Sequence, residues 1–340
     1  MNYKPNGKIT LGIGLTSRCN SQCTHCYSRS GKAPADLTFA SVKKIIDYLP
    51  LKSINFGTGE SIFHPDFFKI LEYIAERDIE MAVTTNGTTT AQLSDEQLQM
   101  FHDIDFSLDF PTKSEHDAWR GEGMFDAILS GIERCLKLGV EASLVACLMK
   151  QNYHCLGDLA LLAVKIGVNL RVNLYKPVHS PAFKPGYDEF WYAVKAMADK
   201  AFFIVCTEPI VCAAIGKNGG KSAGSPCGMR SLRIHPEGKV IPCVYLNDSE
   251  FTVDDIIDDY HPVLKSLQKV MDLTPDELCL NCEHFAVCQG GCTARRIFDG
   301  RTIDEYCFIR RGEKPVIDVK WKKSKNLVHE DYLCTMIFSG

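Results

Sequence analysis

Ten of the sixteen cysteines in this chain fall into two spacing patterns, and thiolates so spaced are ligands for iron and sulfur. The first pattern, RCNSQCTHCYSRS, places Cys19, Cys23 and Cys26 on one loop after an apolar strand. The second begins at Cys227 and passes Gly238 to reach Cys243. It continues through Cys279, Cys282, Cys288 and Cys292 and closes at Cys307. Together they look like housing for three iron–sulfur clusters. Three thiolates hold a four-iron cube but leave one iron without a protein ligand. A catalytic metal keeps such an open position and a structural metal does not, so the chain reads as an enzyme. Three close cysteines also suit zinc, and the second array also suits a pair of zinc ribbons. At the first motif the order strand, loop, helix favours the cluster.

These loops need a frame, and 340 residues fit one large α/β domain or a barrel with a smaller appendage. A hydrophobic content of 45% is ample for a core, and a net charge of −4 argues against a general nucleic-acid binder. No secretory signal opens the sequence and no run approaches a membrane span, so the expectation is a cytoplasmic protein with neither nucleic acid nor membrane as partner. In a reducing compartment many cysteines mean metal or catalysis rather than disulfides.

From residue 9 to about 205, strand-like and helix-like segments alternate. The strands are Ile9–Leu15, Ser53–Phe56, Met81–Thr85, Ile104–Leu108, Glu141–Cys147 and Leu170–Leu174. Thr38 caps FASVKKIIDYL, Pro65 precedes DFFKILEYIAER, and Ser94 with Gln97 forms a capping box. Gly139 and Gly167 stop two further helices. Such repeats imply a parallel sheet, and six units make an open, partial (β/α)6 TIM-like barrel rather than a closed eightfold one. Active sites on such sheets lie at the C-terminal strand ends, where the first cysteine loop falls. After residue 205 the repeat stops. The loop GKNGGKSAGSP follows Cys212, and RIHPEGKVIPC reads as a hairpin turning at Pro236–Gly238. What remains is too short and irregular to bury much core, so clusters would substitute for it. The expected division is 1–205, 206–310 and a tail at 311–340.

The spacing of Cys19, Cys23 and Cys26 after the first strand resembles the radical S-adenosylmethionine (radical SAM) superfamily. That resemblance implies a cube whose open iron binds the methionine moiety of S-adenosylmethionine, and reductive cleavage to a 5′-deoxyadenosyl radical. The family usually has an aromatic residue before the last cysteine; here it is His25, with Tyr27 following. FGTGES at 56–61 resembles the family's Gly-Gly-Glu segment through Gly59 and Glu60, which implies that Glu60 binds the methionine ammonium. Glu60 also reads as a helix cap. TTNG at 84–87 and SLD at 107–109 fall where the family holds ribose and adenine, implying roles for Asn86, Ser107 and Asp109; Asn86–Gly87 equally suits a turn. SEHDAWRGEGMFDAI resembles the stretch after the family's fourth strand.

The second array resembles the SPASM domain, a small C-terminal iron–sulfur domain of peptide-modifying radical SAM enzymes. By that pattern Cys279, Cys282, Cys288 and Cys307 hold a distal auxiliary cluster, and Cys227, Cys243 and Cys292 a proximal one. The proximal fourth ligand is either Cys212 or a position open to substrate. Cys135, Cys147, Cys155 and Cys206 read as small buried hydrophobes. Cys334 lies beyond the pattern and is unassigned.

The function so implied is hydrogen abstraction from a peptide or protein, giving a crosslink, an oxidation or an epimerisation. A small-molecule oxidase or decarboxylase and an iron–sulfur electron carrier are the competing readings. No catalytic side chain is singled out. With eight residues before the first strand, the expectation is that a separate leader-binding protein presents the peptide, or that the substrate is small. Lys320, Lys322, Lys323 and Lys325 read as a solvated face or as a dock for a flavodoxin- or ferredoxin-type reductant. Sulfatase-maturing members carry an aspartate directly after the cysteine equivalent to Cys243, where this chain has Val244 and Tyr245.

Overall fold

The first strand, β1 (Ile9–Ile13), is an apolar run with Leu11 fully buried, and the chain builds outward from it. The computed structural model describes residues 8–28, 33–216, 224–228, 231–323, 327–328 and 333–340. Its contacts divide the chain into two compact units, each made of separated segments. The first comprises Met1–Ser107, Arg120–Ala142 and Gly228–Val270; the second comprises Leu108–Trp119, Ser143–Cys227 and Met271–Gly340.

In the first unit β2 (Leu51–Phe56), β3 (Glu80–Thr85) and β4 (Asp103–Ser107) extend from β1 as a parallel series, β1-β2-β3-β4. The Ile, Val and Phe residues of these strands are buried on both faces, as parallel strands require. Helix Phe67–Ala75 buries Phe67, Ile70, Leu71 and Ile74, at roughly 1.5–3 kcal/mol per side chain. Thr38 caps helix Phe39–Tyr48 by accepting from Ser41 N, and Ser94 and Gln97 form the capping box. On the other side of β1 lies β8 (Ser231–Ile234), also parallel to it, followed by its antiparallel partner β9 (Val240–Ile241). The hairpin turns where the sequence places it, with Gly238 N donating to His235 O at 2.8 Å.

In the second unit β5 (Glu141–Leu148, of which Ser143 onward belongs to this unit) and β6 (Asn169–Leu174) are parallel. Beside β6 stands β10 (Thr335–Ser339), antiparallel to it, and β7 (Phe202–Cys206) pairs with the other edge of β10, again antiparallel. The α/β fold thus carries a mixed sheet, because a strand from residues 335–339 enters between β6 and β7. Lys320 and Lys322 lie on a segment that pairs with Phe203, and Lys320 is 3.5 Å from Asp318. Lys325 and residues 217–223 of the Gly- and Ser-rich loop lie outside the described residues. Among the described residues no helix is long and apolar enough to cross a membrane.

Candidate active site and cluster sites

In the first unit the cysteine loop leaves β1 and is pinned at both sides. Thr16 Oγ1 donates to Asp36 Oδ1 at 2.5 Å, Arg18 Nε donates to the same carboxylate at 3.0 Å, and Ser17 N donates to Ala35 O at 2.9 Å. Gly59 packs beneath this loop with φ +66°, and a Cβ there would stand 2.4 Å from Thr16 O and 2.7 Å from Arg18 O. Only glycine allows Glu60 N to donate to Arg18 O at 2.8 Å, one residue before Cys19.

The three sulfurs are near enough for the Cys23 and Cys26 charges to act on Cys19. N–H groups point at two of them. Ser21 N lies 3.4 Å and Asn86 Nδ2 3.8 Å from Cys19 Sγ, and Arg120 Nη1 lies 3.9 Å from Cys23 Sγ. Arg120 Nη2 also lies 3.5 Å from His25 Nε2. By accessible area Cys19 is exposed, yet protein atoms crowd its sulfur and push the thiol up to about 11, with Ser21 N acting in the opposite sense. Metal loading must therefore displace protons, which iron bound to sulfur does. Among the described residues no three His, Cys, Asp or Glu side chains stand close enough to share one ion. A cube fits this donor set better, because each thiolate takes a different iron.

Glu60 is buried and its carboxylate is crowded with donors. Oε1 accepts from Thr85 Oγ1, from Thr89 N at 2.8 Å and from Thr89 Oγ1 at 2.5 Å, while among the described residues Oε2 accepts only from Asn86 N at 2.9 Å. Glu60 precedes a 3-10 turn that its side chain does not cap. Instead it accepts from Thr89 N in the first turn of helix Thr88–Gln92, whose N-cap residue is Gly87. Burial pushes its carboxyl above the usual range and the donors pull it back. Oε2 retains acceptor capacity for a cation, since a carboxylate offers about four lone-pair sites. Asn86 also ties the loop, with Nδ2 donating to Asn20 Oδ1 and Ser21 Oγ, both at 2.9 Å. Tyr27 OH donates to Gly57 O, and its ring meets that of Tyr245 edge-on. Ser107, half-buried, ends β4.

Asp109 belongs to the second unit and is fully buried. Its Oδ1 accepts from Cys147 N at 2.9 Å, its amide donates to His116 Nδ1 at 3.3 Å, and its carbonyl accepts from Asn152 Nδ2 at 3.0 Å. Those bonds make it a clamp for the start of its segment.

In the same unit Cys279, Cys282, Cys288 and Cys307 line one pocket, with Ile210 and Phe285 among its apolar walls. Four thiols around an apolar space suit a cluster. Burial pushes the Cys288 thiol up to about 12. Between Cys288 and Cys292 all three residues are left-handed: Gln289 φ +47°, Gly290 φ +84° and Gly291 φ +99°. A side chain at Gly291 would strike Asp304, whose Oδ2 accepts from Cys292 N at 2.8 Å. The three-residue spacing thus lets Cys288 line the cavity while Cys292 is held elsewhere.

That other place is a fully buried charge network. Arg295 donates to both Glu208 oxygens, at 3.0 and 2.6 Å, and to both Asp304 oxygens. Removing one member would leave a buried charge without its partner, typically about 3–5 kcal/mol. Buried Lys176 is within electrostatic reach of Cys292, Cys334 and Glu208. Cys334 stands within hydrogen-bonding reach of both Cys227 and Cys292. Cys212 faces Cys206 instead, with their sulfurs 3.6 Å apart and its thiol donating to Cys206 O at 3.2 Å. Cys243 is a first-unit residue, buried just past β9, where its carbonyl accepts from Leu246 N at 2.9 Å.

Residues 13–163 match the family described as the Radical SAM superfamily. That stretch is similar to radical SAM domains. Beyond it, the chain is 27% identical over 323 residues to mycofactocin maturase MftC of Mycolicibacterium smegmatis (strain ATCC 700084 / mc(2)155), covering 87% of this chain and 81% of the relative. Among solved structures it resembles anSMEcpe with bound AdoMet and Kp18Cys peptide, with a TM-score of 0.70, 16% identity, and coverage of 89% and 94%. It also resembles Streptococcus suis SuiB bound to precursor peptide SuiA, with a TM-score of 0.66, 16% identity, and coverage of 88% and 76%. These structures share the fold.

Within the matched residues the structure brings Gly59, Glu60 and Asn86 against the loop of Cys19, Cys23 and Cys26. Sequence reasoning passed over Arg120, although it lies within the quoted stretch SEHDAWRGEGMFDAI. It also missed Lys176, Glu208, Arg295 and Asp304, which carry no spacing signal because distant segments bring them together.

Proposed function

We propose that this chain is a radical SAM enzyme that modifies a peptide or protein substrate by hydrogen abstraction, with a crosslink, an oxidation or an epimerisation as the outcome. The observation that carries this reading is the loop of Cys19, Cys23 and Cys26 seated on Gly59, Glu60 and Asn86 inside a radical SAM domain. Similarity to a maturase over 87% of the chain, and a shared fold with a protein solved with a precursor peptide, favour a peptide over a small molecule and disfavour a mere electron carrier.

The finer reading is a partial (β/α)6 barrel at 1–205 followed by a SPASM domain at 206–310, with three 4Fe–4S clusters. Cys19, Cys23 and Cys26 would hold the first, Cys279, Cys282, Cys288 and Cys307 the distal one, and Cys227, Cys243 and Cys292 would contribute to the proximal one. When bound, a 4Fe–4S cluster with one open iron would supply the one electron that breaks the C5′–S bond of S-adenosylmethionine into methionine and a 5′-deoxyadenosyl radical. The chain's own groups then have separate tasks. Glu60 Oε2 accepts from the methionine ammonium, Asn86 fixes the loop, and Arg120 places a positive charge beside Cys23. Ser107 and Asp109 are proposed contacts for the nucleoside. A leader-binding protein presents the peptide, a flavodoxin- or ferredoxin-type protein supplies electrons, and the compartment is the cytoplasm.

The test is anaerobic turnover with dithionite. The wild type should release 5′-deoxyadenosine, and the Cys19→Ala/Cys23→Ala/Cys26→Ala protein should release none while keeping iron in its other sites. Undiminished nucleoside release from the triple variant would sink the assignment.

A further inference from the structure

We propose that Cys334 is the fourth thiolate of the proximal auxiliary cluster, so that this cluster is held wholly by protein and offers no iron to substrate. The inference rests on the three-cluster reading above and settles the choice that the sequence left between Cys212 and an open position.

Three observations carry it. Cys227, Cys292 and Cys334 meet in the second unit, with Cys334 in reach of both other sulfurs and Ser225 Oγ 3.1 Å from its own. Cys212 is committed elsewhere, since its thiol is directed at Cys206. Finally, Cys334 is held rigidly. It immediately precedes β10, which is paired along both edges, and Thr207 N donates to Thr335 O at 2.9 Å while Thr207 Oγ1 accepts from Thr335 N at 3.2 Å. A lone buried cysteine is ordinarily a small hydrophobe. This one adjoins two cysteines that the spacing pattern independently assigns to a cluster, beside buried Lys176, whose charge offsets the thiolates. Cys243 is assigned to the same cluster by spacing alone.

A saturated cluster cannot act as a Lewis acid toward the peptide, which leaves electron transfer and structural support as its tasks. The test uses full-length, anaerobically reconstituted protein without substrate. Mild ferricyanide oxidation expels the labile iron of a cube with only three thiolates, leaving a 3Fe–4S centre that is counted by electron paramagnetic resonance. Wild-type protein should carry about 12 iron and give one such centre per chain, from the Cys19 cluster. Cys334→Ala should give two, or should fall to about eight iron. Cys212→Ala should match the wild type. Cys334→Ser keeps the strand packed and should shift the proximal signal even if the alanine variant folds poorly. A wild type with 12 iron, and with spectra unchanged in both Cys334 variants, would overturn the proposal alone. A wild type holding only about four iron would overturn the three-cluster reading and the proposal together.

Discussion

Glu60→Gln separates what the carboxylate does for the fold from what it does for the cofactor. In the wild type three donors meet Oε1 and one meets Oε2. A glutamine oxygen would take the three-donor position, which turns its NH2 toward Asn86 N, donor against donor. That loses one bond to a charged acceptor, roughly 1.5–3 kcal/mol, and the other three drop from charge-assisted to neutral. We expect a destabilisation of about 2–4 kcal/mol in anaerobic urea unfolding. Oε2 is also the atom with spare acceptor capacity, so the variant should bind S-adenosylmethionine about ten- to a hundredfold more weakly, measured by calorimetry well below its unfolding transition. Destabilisation with unchanged affinity would reduce Glu60 to an acceptor for the first turn of helix Thr88–Gln92. Weaker binding without destabilisation would refute the count of donors.

Other expectations follow from the same contacts. Cys288→Ala should lower product formation more than nucleoside release and should destabilise the second unit, because cluster binding supplies folding energy there; a variant making product at the normal rate would contradict this. His102, whose Nδ1 lies 2.8 Å from buried Asp103, has its pKa raised by that bond. Its stabilising contribution is complete below the unfolded value of 6.5 and is lost as pH rises through the folded one, so wild-type stability should fall more steeply than that of His102→Gln as pH rises above 6.5. Equal slopes would dismiss the pair as a pH-sensitive contact. With Val244 and Tyr245 after Cys243, no carboxylate stands where sulfatase-maturing enzymes place their base, so a Cys- or Ser-containing sulfatase peptide should not yield formylglycine. The aldehyde mass in anaerobic turnover would reverse that exclusion.

What the sequence made legible is local. Short apolar runs located β1 to β6 to within one or two residues, since burial on both faces leaves a near-continuous mark on neighbouring positions. The caps at Thr38 and Ser94 and the turn at Gly238 were equally visible, because each is a contact among residues three or four apart. The parallel pairing of β8 with β1 and the entry of β10 were not, since pairing across hundreds of residues leaves no periodic signature. Cys334 was invisible for the same reason: its partners are spatial, and its spacing matches nothing. Glu60 shows the intermediate case. Its segment was legible, but its donors come from the end of the next strand and the helix after it.

The position of β10 also bears on how this protein is made. Synthesis proceeds from the N-terminus at about 5–20 residues per second, and folding begins before the chain is finished. The edges of β6 and β7 that β10 will join stay unpaired until residue 339 has left the ribosome exit tunnel. For that interval the nascent chain presents two open strand edges, the kind of surface on which chains misassociate. Cys227 and Cys292 are likewise made well before Cys334 exists. The proposed centre therefore cannot be completed before Cys334 has emerged, and a message terminated ahead of it should yield a second unit with open, aggregation-prone strand edges.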